Sequence, residues 1–404
     1  MRIEEDILKT VEGSRAEILK LLCDLTAIPA ENPPGRFYEE SVEYIAKLLK
    51  QWNIEHRIVR VPHGRYPRYS IAGQIGNGGS DLHFHGHYDV VPAASPDQFV
   101  PRIENGRVYG RGTSDMKGGI VVILLALRVL KEYRTKLSGN ISFSFVPDEE
   151  TGGRRGTQHL IQSEIFPLPK LGMLMPEPTS GFIWNANKGA LSYSVTIRGK
   201  SAHVGLAHQG INSFERMLSV AASLKELSEE IGKRKTLLPV SPPEANQSVM
   251  LLGGISGSGN SFNVVPERSF FTVDRRINPE EKLEDAKREL IQIFETHRKN
   301  GIDLNAEVMQ EADPSFVSRE TPLAKLLQQA IQDISGQAPS FQLCPGVCEI
   351  RYFISRGIPA YAYGPGLLEV SHGPDEYVNV NDVLNCTKVY ALIASRALSA
   401  LSSG

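Results

Sequence analysis

Five short segments of this chain carry imidazoles and carboxylates at predicted strand ends or turns, from which side chains can reach a shared metal ion. The run His85-Gly86-His87-Tyr88-Asp89-Val90-Val91-Pro92 sets a ring and a carboxylate two residues apart at the end of an apolar stretch. On a strand such a pair shares one face, so His87 can ligate a metal while Asp89 hydrogen-bonds the ring or stands just behind it. The loop Gly110-Arg111-Gly112-Thr113-Ser114-Asp115-Met116-Lys117-Gly118-Gly119 presents Asp115 ahead of an apolar helix. A phosphate cradle is the alternative, but the loop lacks both the Gly-Lys-Ser/Thr ending and the Gly-x-Gly-x-x-Gly spacing.

Asp148-Glu149-Glu150-Thr151-Gly152-Gly153 closes another predicted strand with three adjacent acids. They repel one another unless cations or protons compensate, a solvated acidic turn being the other reading. Glu177 is stiffened between Pro176 and Pro178, which also describes an ordinary turn. His372 follows the turn Gly364-Pro365-Gly366 within Ser371-His372-Gly373-Pro374-Asp375-Glu376, and taken alone it reads as a surface histidine. Together the set suits a pair of zinc ions bridged by one carboxylate, with nitrogen and oxygen donors and an open position for water.

The elements that must position these residues alternate between strands and helices. Two helices separated by the turn Asn32-Pro33-Pro34-Gly35 are predicted up to Trp52, then strands at 54–61, 69–75, 81–89, 141–146 and 173–177 and a helix at 118–133. That alternation predicts a three-layer α/β domain. From Ala190 the texture changes, as Leu191, Tyr193, Val195 and Ile197 alternate with polar residues in the manner of a half-buried strand. Helices at 213–232 and 279–299 and strands at 247–253, 268–277 and 302–309 complete a small α+β unit, after which a helix at 323–335 and a buried strand at 359–363 resume the first texture. The reading is therefore a discontinuous domain, 1–188 and 313–404, with a second domain, 189–312, inserted into it.

At 404 residues the chain exceeds what one core usually serves, and its net charge of −2 argues against nucleic acid or a membrane surface as partner. The start is acidic and does not read as a signal peptide, and the longest apolar stretch, 118–130, is too short to span a bilayer. Cys23, Cys344, Cys348 and Cys386 make no disulfide framework, so the cytoplasm is the expected location.

Gly86-His87-Tyr88-Asp89-Val90-Val91-Pro92, the Asp115 loop, Asp148-Glu149-Glu150-Thr151-Gly152-Gly153, Glu177-Pro178-Thr179 and the late His372 resemble, in order and over nearly the whole chain, the motifs of the M20 metallopeptidases and deacylases. That family includes the acetylornithine deacetylases and succinyl-diaminopimelate desuccinylases. The resemblance implies a three-layer, zinc-peptidase-like catalytic domain with an inserted lid that carries dimerisation, and two zinc ions per subunit, with cobalt or manganese as possible substitutes. Asp115 would bridge both metals, His87 and Glu177 would complete one site, and Glu150 and His372 the other. Asp89 would orient His87, and Glu149 would be the general base. A water shared by two cations loses its proton readily, and Glu149 can take it and hand it to the leaving amine. The family also has a cis peptide after the bridging residue, here Asp115–Met116.

In the inserted domain, Gly199-Lys200-Ser201-Ala202-His203 resembles the family segment whose histidine stabilises the oxyanion, often from the partner subunit of a homodimer; His208 is a weaker candidate. Alternation sets Asp274 and Arg276 on one strand face and Arg275 on the other. The family has an arginine here that grips the substrate carboxylate, and the resemblance implies that Arg276, which fits the Asp-x-Arg spacing, takes that role. Asn263 matches the family's substrate-binding asparagine, although a turn-forming role fits it equally. Where many members carry Gly-Thr-Asp-x-Arg, this chain has Gly346-Val347-Cys348-Glu349-Ile350-Arg351, which looks more like the acetylornithine deacetylases and puts Glu349 at the substrate pocket. His83 and His85 are expected behind the metals or in the structural core. The expected activity is removal of an acetyl or succinyl group from an N-acyl amino acid; a carboxypeptidase or dipeptidase acting on short peptides is the alternative.

Overall fold

The computed structural model describes residues 2–61, 66–77 and 79–400, and the chain divides into two units. One is built from residues up to Asn185, Val317–Gln342, and Glu349 onward; the other from Ala186–Phe316 and Leu343–Cys348. The second unit thus extends a few residues beyond 189–312 at each end. It also takes a return segment that the sequence pattern left in the first. Hydrogen bonds hold that segment there: Leu343 N–H donates to the Pro239 carbonyl at 2.7 Å and Lys188 N–H to the Cys344 carbonyl at 3.2 Å.

In the first unit a mixed sheet includes, in order, Glu55–Val61, Arg68–Ile75, Ile141–Val146, Leu82–His87, Gly172–Met175 and Ala360–Ala362. Leu82–His87 pairs in parallel with Ile141–Val146 on one side and Gly172–Met175 on the other, and all six of its residues are buried. Buried on both faces, it reads as a run without alternation. Side chains still alternate in space. Phe84 meets Tyr390 of the last helix with ring centroids 5.1 Å apart, whereas His83 and His85 turn to the opposite face, against Phe353.

The helices Arg2–Glu12, Arg15–Thr26, Gly118–Glu132, Pro322–Ser335 and Val380–Ala400 pack together. Gly118–Glu132 is apolar around almost its entire circumference and correspondingly buried. It lies so close to the central strand that a Cβ on Gly86 would stand 3.1–3.2 Å from Met116, Ile120 and Ile123. The short helices Thr157–Gln162 and Ile350–Ile354 pack on each other, and Phe353 of the latter meets the histidine face, completing three layers. Two features depart from expectation. The first predicted helix is two, broken at Gly13-Ser14, and the strand carrying His87 stops at His87, which leaves Asp89 in the following loop.

The second unit is an antiparallel sheet in the order Val249–Ser258, Arg268–Ile277, Gly189–Arg198, Asp303–Ala312, with helices Ser213–Ile231 and Leu283–Lys299 packed on it. Leu191, Tyr193, Val195 and Ile197 meet Phe271, Val273, Leu224 and Phe294 in its core. The strand Val249–Ser258 continues past Gly253, where the sequence pattern ended it. The register shifts between Leu252 and Ser256, and Gly253 adopts φ 72°, so a bulge carries the strand onward.

Candidate metal centre

Three neighbouring strands deliver acids and a histidine at their C-terminal ends, the edge of an α/β sheet where ligands bind. His87 ends Leu82–His87, Asp148-Glu149-Glu150 follows Ile141–Val146, and Glu177 follows Gly172–Met175. Asp115 and His372 come from loops. The Asp115–Met116 peptide is cis, as expected.

The donor atoms form two triads that share one residue. His87, Asp115 and Glu177 make the first and Asp115, Glu150 and His372 the second, the ligand atoms of each lying within 4.8 Å of one another. His87 Nε2 faces Asp115 Oδ1 at 3.3 Å and Glu177 Oε1 at 3.7 Å. His372 Nε2 faces Asp115 Oδ2 at 3.3 Å and Glu150 Oε2 at 3.3 Å. Each oxygen of Asp115 therefore addresses a different histidine.

These spacings fit a metal. Two donors on one tetrahedral zinc ion, each about 2.1 Å from it, stand about 3.4 Å apart. His87 Nε2 is also a buried nitrogen without a hydrogen-bond partner, the atom a cation would occupy. Charge points the same way. Glu149, Glu150, Glu177 and Asp115 are four carboxylates, and among the described residues no lysine or arginine pairs with any of them. Protonating both His87 and His372 leaves at least two negative charges uncompensated, a deficit that divalent cations would offset with both rings neutral.

The titration behaviour records this imbalance. Burial, with Asp115 adding to it, pushes Glu150 up to about 7 against the pull of His372 and His87. Burial does the same to Glu177, up to about 7, with Asp115 and Glu349 adding. Glu149 is held well above the usual carboxylate range by burial first and then by Glu150, Glu177 and Glu349, with His87 opposing. Hydrogen bonds to Asp115 and Glu150 raise His372 to about 11. Burial opposes charge on His87, but Asp115, Asp89 and Glu177 outweigh it and hold the ring well above its ordinary value. Asp115 is brought below the usual range because the two histidines outweigh its burial.

Asp89 does more than stand behind His87. The ring's Nδ1 hydrogen-bonds the Asp89 backbone carbonyl at 3.0 Å, while the carboxylate lies 3.4 Å away. That carboxylate accepts from the backbone N–H groups of Glu149 and Glu150, both at 3.2 Å, and from Asn32 Nδ2 at 2.9 Å. It therefore fixes the acidic turn as well. Sequence gives no role to Asn32 or to Arg68, which pairs with Asp148 at 3.2 Å; both act from distant segments, and Arg68 neutralises an acid of the triplet that belongs to neither triad.

Two further residues missed by sequence reading tie the centre's loops together. Arg111 Nη1 and Glu376 Oε2 form a buried pair at 2.5 Å. Glu376 also accepts from the N–H groups of Gly112, Ser114 and Asp115 at 3.0–3.1 Å. Arg111 Nη2 donates to the His372 carbonyl at 3.0 Å. Both residues stand inside the motifs quoted above, beside the ligands, and that adjacency was their only signal.

Glu349 is not open toward a pocket as expected. Its side chain is fully buried, hydrogen-bonded to His85 Nε2 at 2.9 Å and to Thr157 Oγ1 at 2.6 Å. The segment change that singled it out supplies a partner to a buried histidine, and His85 and His83 are spanned by Ser144 and Ser142 at 2.7–2.8 Å.

His203, Asn263 and Arg276 belong to the second unit. There His203 and Asn263 are adjacent, since His203 bridges Val264 and Val204 N–H donates to the Asn263 carbonyl at 3.0 Å. His203 Nδ1 accepts from Gly205 N–H at 3.1 Å, so a neutral ring carries its proton at Nε2 and presents a donor to solvent. Arg276 lies on the half-exposed face, paired with Asp274 at 2.8 Å, and Arg275 on the core face. Asn263 Oδ1 accepts from Ser261 Oγ at 2.7 Å.

The chain is similar to known proteins over most of its length. Residues 83–396 match the family model described as peptidase family M20/M25/M40. A probable succinyl-diaminopimelate desuccinylase of Staphylococcus epidermidis is 27% identical over 93% of this chain and 96% of its own length. Among solved structures, the di-peptidase Dug1p of Saccharomyces cerevisiae superposes with a TM-score of 0.80 at 14% identity, covering 98% of each chain. The Bacillus subtilis YXEP protein, described as a dinuclear metal binding peptidase, superposes with a TM-score of 0.63 at 15% identity, covering 96% of this chain and 99% of its own.

Proposed function

The chain belongs to peptidase family M20/M25/M40, and from that premise we propose that it removes an acyl group, of the acetyl or succinyl type, from an N-acyl amino acid with a free carboxylate. The observation that carries the hydrolytic reading is Asp115, whose two oxygens each face one histidine of a separate triad. His87 and Glu177 would hold one ion with it, and Glu150 and His372 the other. The nitrogen and oxygen donors suit zinc, with cobalt or manganese as substitutes. When bound, such a pair of ions polarises the amide carbonyl and makes water acidic near neutral pH.

Glu149 is the proposed general base. It flanks a ligand without belonging to either triad, and as a carboxylate beside bound cations it would take a proton from water and pass it to the departing amine nitrogen. Asp89 keeps Glu149 and Glu150 in place through their backbone amides. His203 is the proposed donor to the oxyanion, through Nε2. Arg276 is proposed to bind the substrate carboxylate, exchanging Asp274 for it, with Asn263 beside His203 as a further substrate contact.

Deacylation is preferred to peptide cleavage because the relative named as a desuccinylase matches over almost the whole chain in sequence, whereas likeness to the di-peptidase is one of fold. A panel of N-acetyl and N-succinyl amino acids tested beside dipeptides separates the two; turnover of dipeptides alone would sink the deacylase reading.

A homodimer through the second unit belongs to the same proposal. Val249–Ser258 is an edge strand whose Val249, Leu251 and Ile255 are 49%, 58% and 61% exposed, and Phe262 nearby in sequence is fully exposed. Sedimentation should show a dimer, and a fully active monomer contradicts it. A cytoplasmic setting is proposed from the four cysteines, which are too few for a disulfide framework. Among the described residues no helix is long and apolar enough to cross a membrane.

A further inference from the structure

We propose that Arg111 and Glu376 are positioning residues that make the second metal site, Asp115 with Glu150 and His372, dependent on a single buried ion pair. The proposal rests on the two-metal reading above and adds to it residues that are not ligands.

Asp115 and His372 both sit on loops, unlike His87, which a central strand holds. Something else must fix them. The carboxylate of Glu376 is almost fully buried and spends both oxygens on the Asp115 loop: Oε2 accepts from Gly112 N–H at 3.0 Å, and Oε1 from Ser114 N–H at 3.0 Å and Asp115 N–H at 3.1 Å. Four residues before Glu376 in the chain, His372 occupies the left-handed region at φ 65°, where a side chain crowds its own backbone. Its carbonyl is gripped by Arg111 Nη2, and the same guanidinium pairs with Glu376 through Nη1. Arg111, on the Asp115 loop, thus grips the His372 segment with both tines of its planar fork, and Glu376 of that segment grips the Asp115 loop in return. Gly110 N–H to the Glu376 carbonyl, at 2.9 Å, closes the same junction from the backbone side.

The consequence is asymmetric. The site of His87, Asp115 and Glu177 draws two of its three ligands from strand ends. The site of Asp115, Glu150 and His372 draws two of three from the loops that this pair joins. Loosening the pair should therefore weaken the second ion more than the first.

The test is zinc per chain, measured by elemental analysis and by titration of metal-stripped full-length protein, for the wild type, Arg111→Met and the double variant Arg111→Met/Glu376→Gln. The double variant matters because it removes both buried charges together and leaves neither unpaired. Wild type should bind two ions. Both variants should bind the second ion on the order of 10- to 100-fold more weakly, the range seen when residues that orient ligands are lost, with a smaller loss at the first, which shares Asp115. The double variant should melt closer to wild type than Arg111→Met without regaining the second ion. Two tight ions in either variant, or parallel weakening of both ions, overturns the proposal. Recovery of the second ion together with thermal stability in the double variant overturns it as well, because the pair would then support only the fold. A wild-type chain that binds fewer than two ions defeats the two-metal reading itself and this inference with it.

Discussion

The metal centre and the core of the second unit both bury clusters of charge, yet they are built on opposite terms. In the second unit Arg275 is fully buried and reaches Glu281 at 3.0 Å and Glu289 at 2.5 Å, while Arg234 reaches the same two glutamates at 2.8 Å. Two cations meet two anions, and both glutamates are held below their ordinary range: burial opposes, but hydrogen bonds from Ser248 and Arg234 to Glu281, and from Arg234 and Arg275 to Glu289, outweigh it. In the first unit four carboxylates face two imidazoles, and Glu149, Glu150 and Glu177 are held above theirs. A buried cluster that balances its own charge is finished as protein. One that does not must import the balance, and for carboxylates separated from histidines by the span of two donors on one ion that import is a cation.

The most severe way to break this contrast is to remove the cations. Stripping with a chelator should reduce hydrolysis to background, and zinc should restore it. Ions present at about 100 times their dissociation constant should add about 2.7 kcal/mol per site to stability, measured as a rise in melting temperature. If chelation leaves turnover intact, the imbalance is not met by metal.

Glu149→Gln keeps the shape of the base and removes its proton acceptor. Turnover should fall on the order of 10²- to 10⁴-fold while two ions stay bound. Metal analysis beside the kinetics separates loss of chemistry from loss of the site.

Acidity sharpens the comparison because the two clusters respond with opposite sign. Glu150 and Glu177 titrate near 7 in the folded metal-free protein against an ordinary value of about 4.3. The folded state therefore holds protons that the unfolded chain releases. That stability is complete below about pH 4 and is lost as pH rises through about 7. Zinc should abolish the trend and bind more tightly over the same window, since its ligands must be deprotonated. Glu281 and Glu289, held low, contribute stability that is present above their ordinary value and lost as pH falls below it. Melting curves between pH 3 and 8, with and without zinc, should show both slopes; a metal-free protein that gains stability from pH 5 to 7 contradicts the assignment.

Arg275→Met, the mildest change, leaves Arg234 as the one cation paired with Glu281 and Glu289. Because Glu289 is about one-third exposed, the cost should sit near the lower end of that for breaking a buried pair, about 3 kcal/mol by denaturant unfolding, with metal content unchanged. Loss of bound zinc in this variant would show that the two clusters are not independent.

Much of the centre was legible because its ligands occur in short motifs with local logic. A glycine-rich loop before an apolar helix, a glutamate between two prolines and an acid triplet at a strand end each announce a constrained carboxylate from neighbouring residues alone. Division of labour inside the triplet was harder to see. Asp148 is neutralised by Arg68, 80 positions earlier, and Glu150 meets His372, more than 200 positions later. Glu349 misled for a related reason: its neighbours in sequence mark a departure, but its partners, His85 and Thr157, lie 264 and 192 positions away. Asn32 gave no chemical signal at all in a turn rich in proline, although it hydrogen-bonds Asp89.

What the sequence determined by itself is the supply: which donors exist, that they sit at strand ends and stiffened loops, that the chain carries two textures of strand, and that no charge run competes with the acids. Strand alternation and turn chemistry act over a few residues and survive without a fold. The tertiary structure decided the pairing. It set one oxygen of Asp115 toward His87 and the other toward His372, turned Arg275 inward and Arg276 outward on one strand, and joined Arg111 to Glu376 across 265 positions. Those contacts depend on how sheet and helices pack, and no local period encodes which distant carboxylate a buried nitrogen will meet.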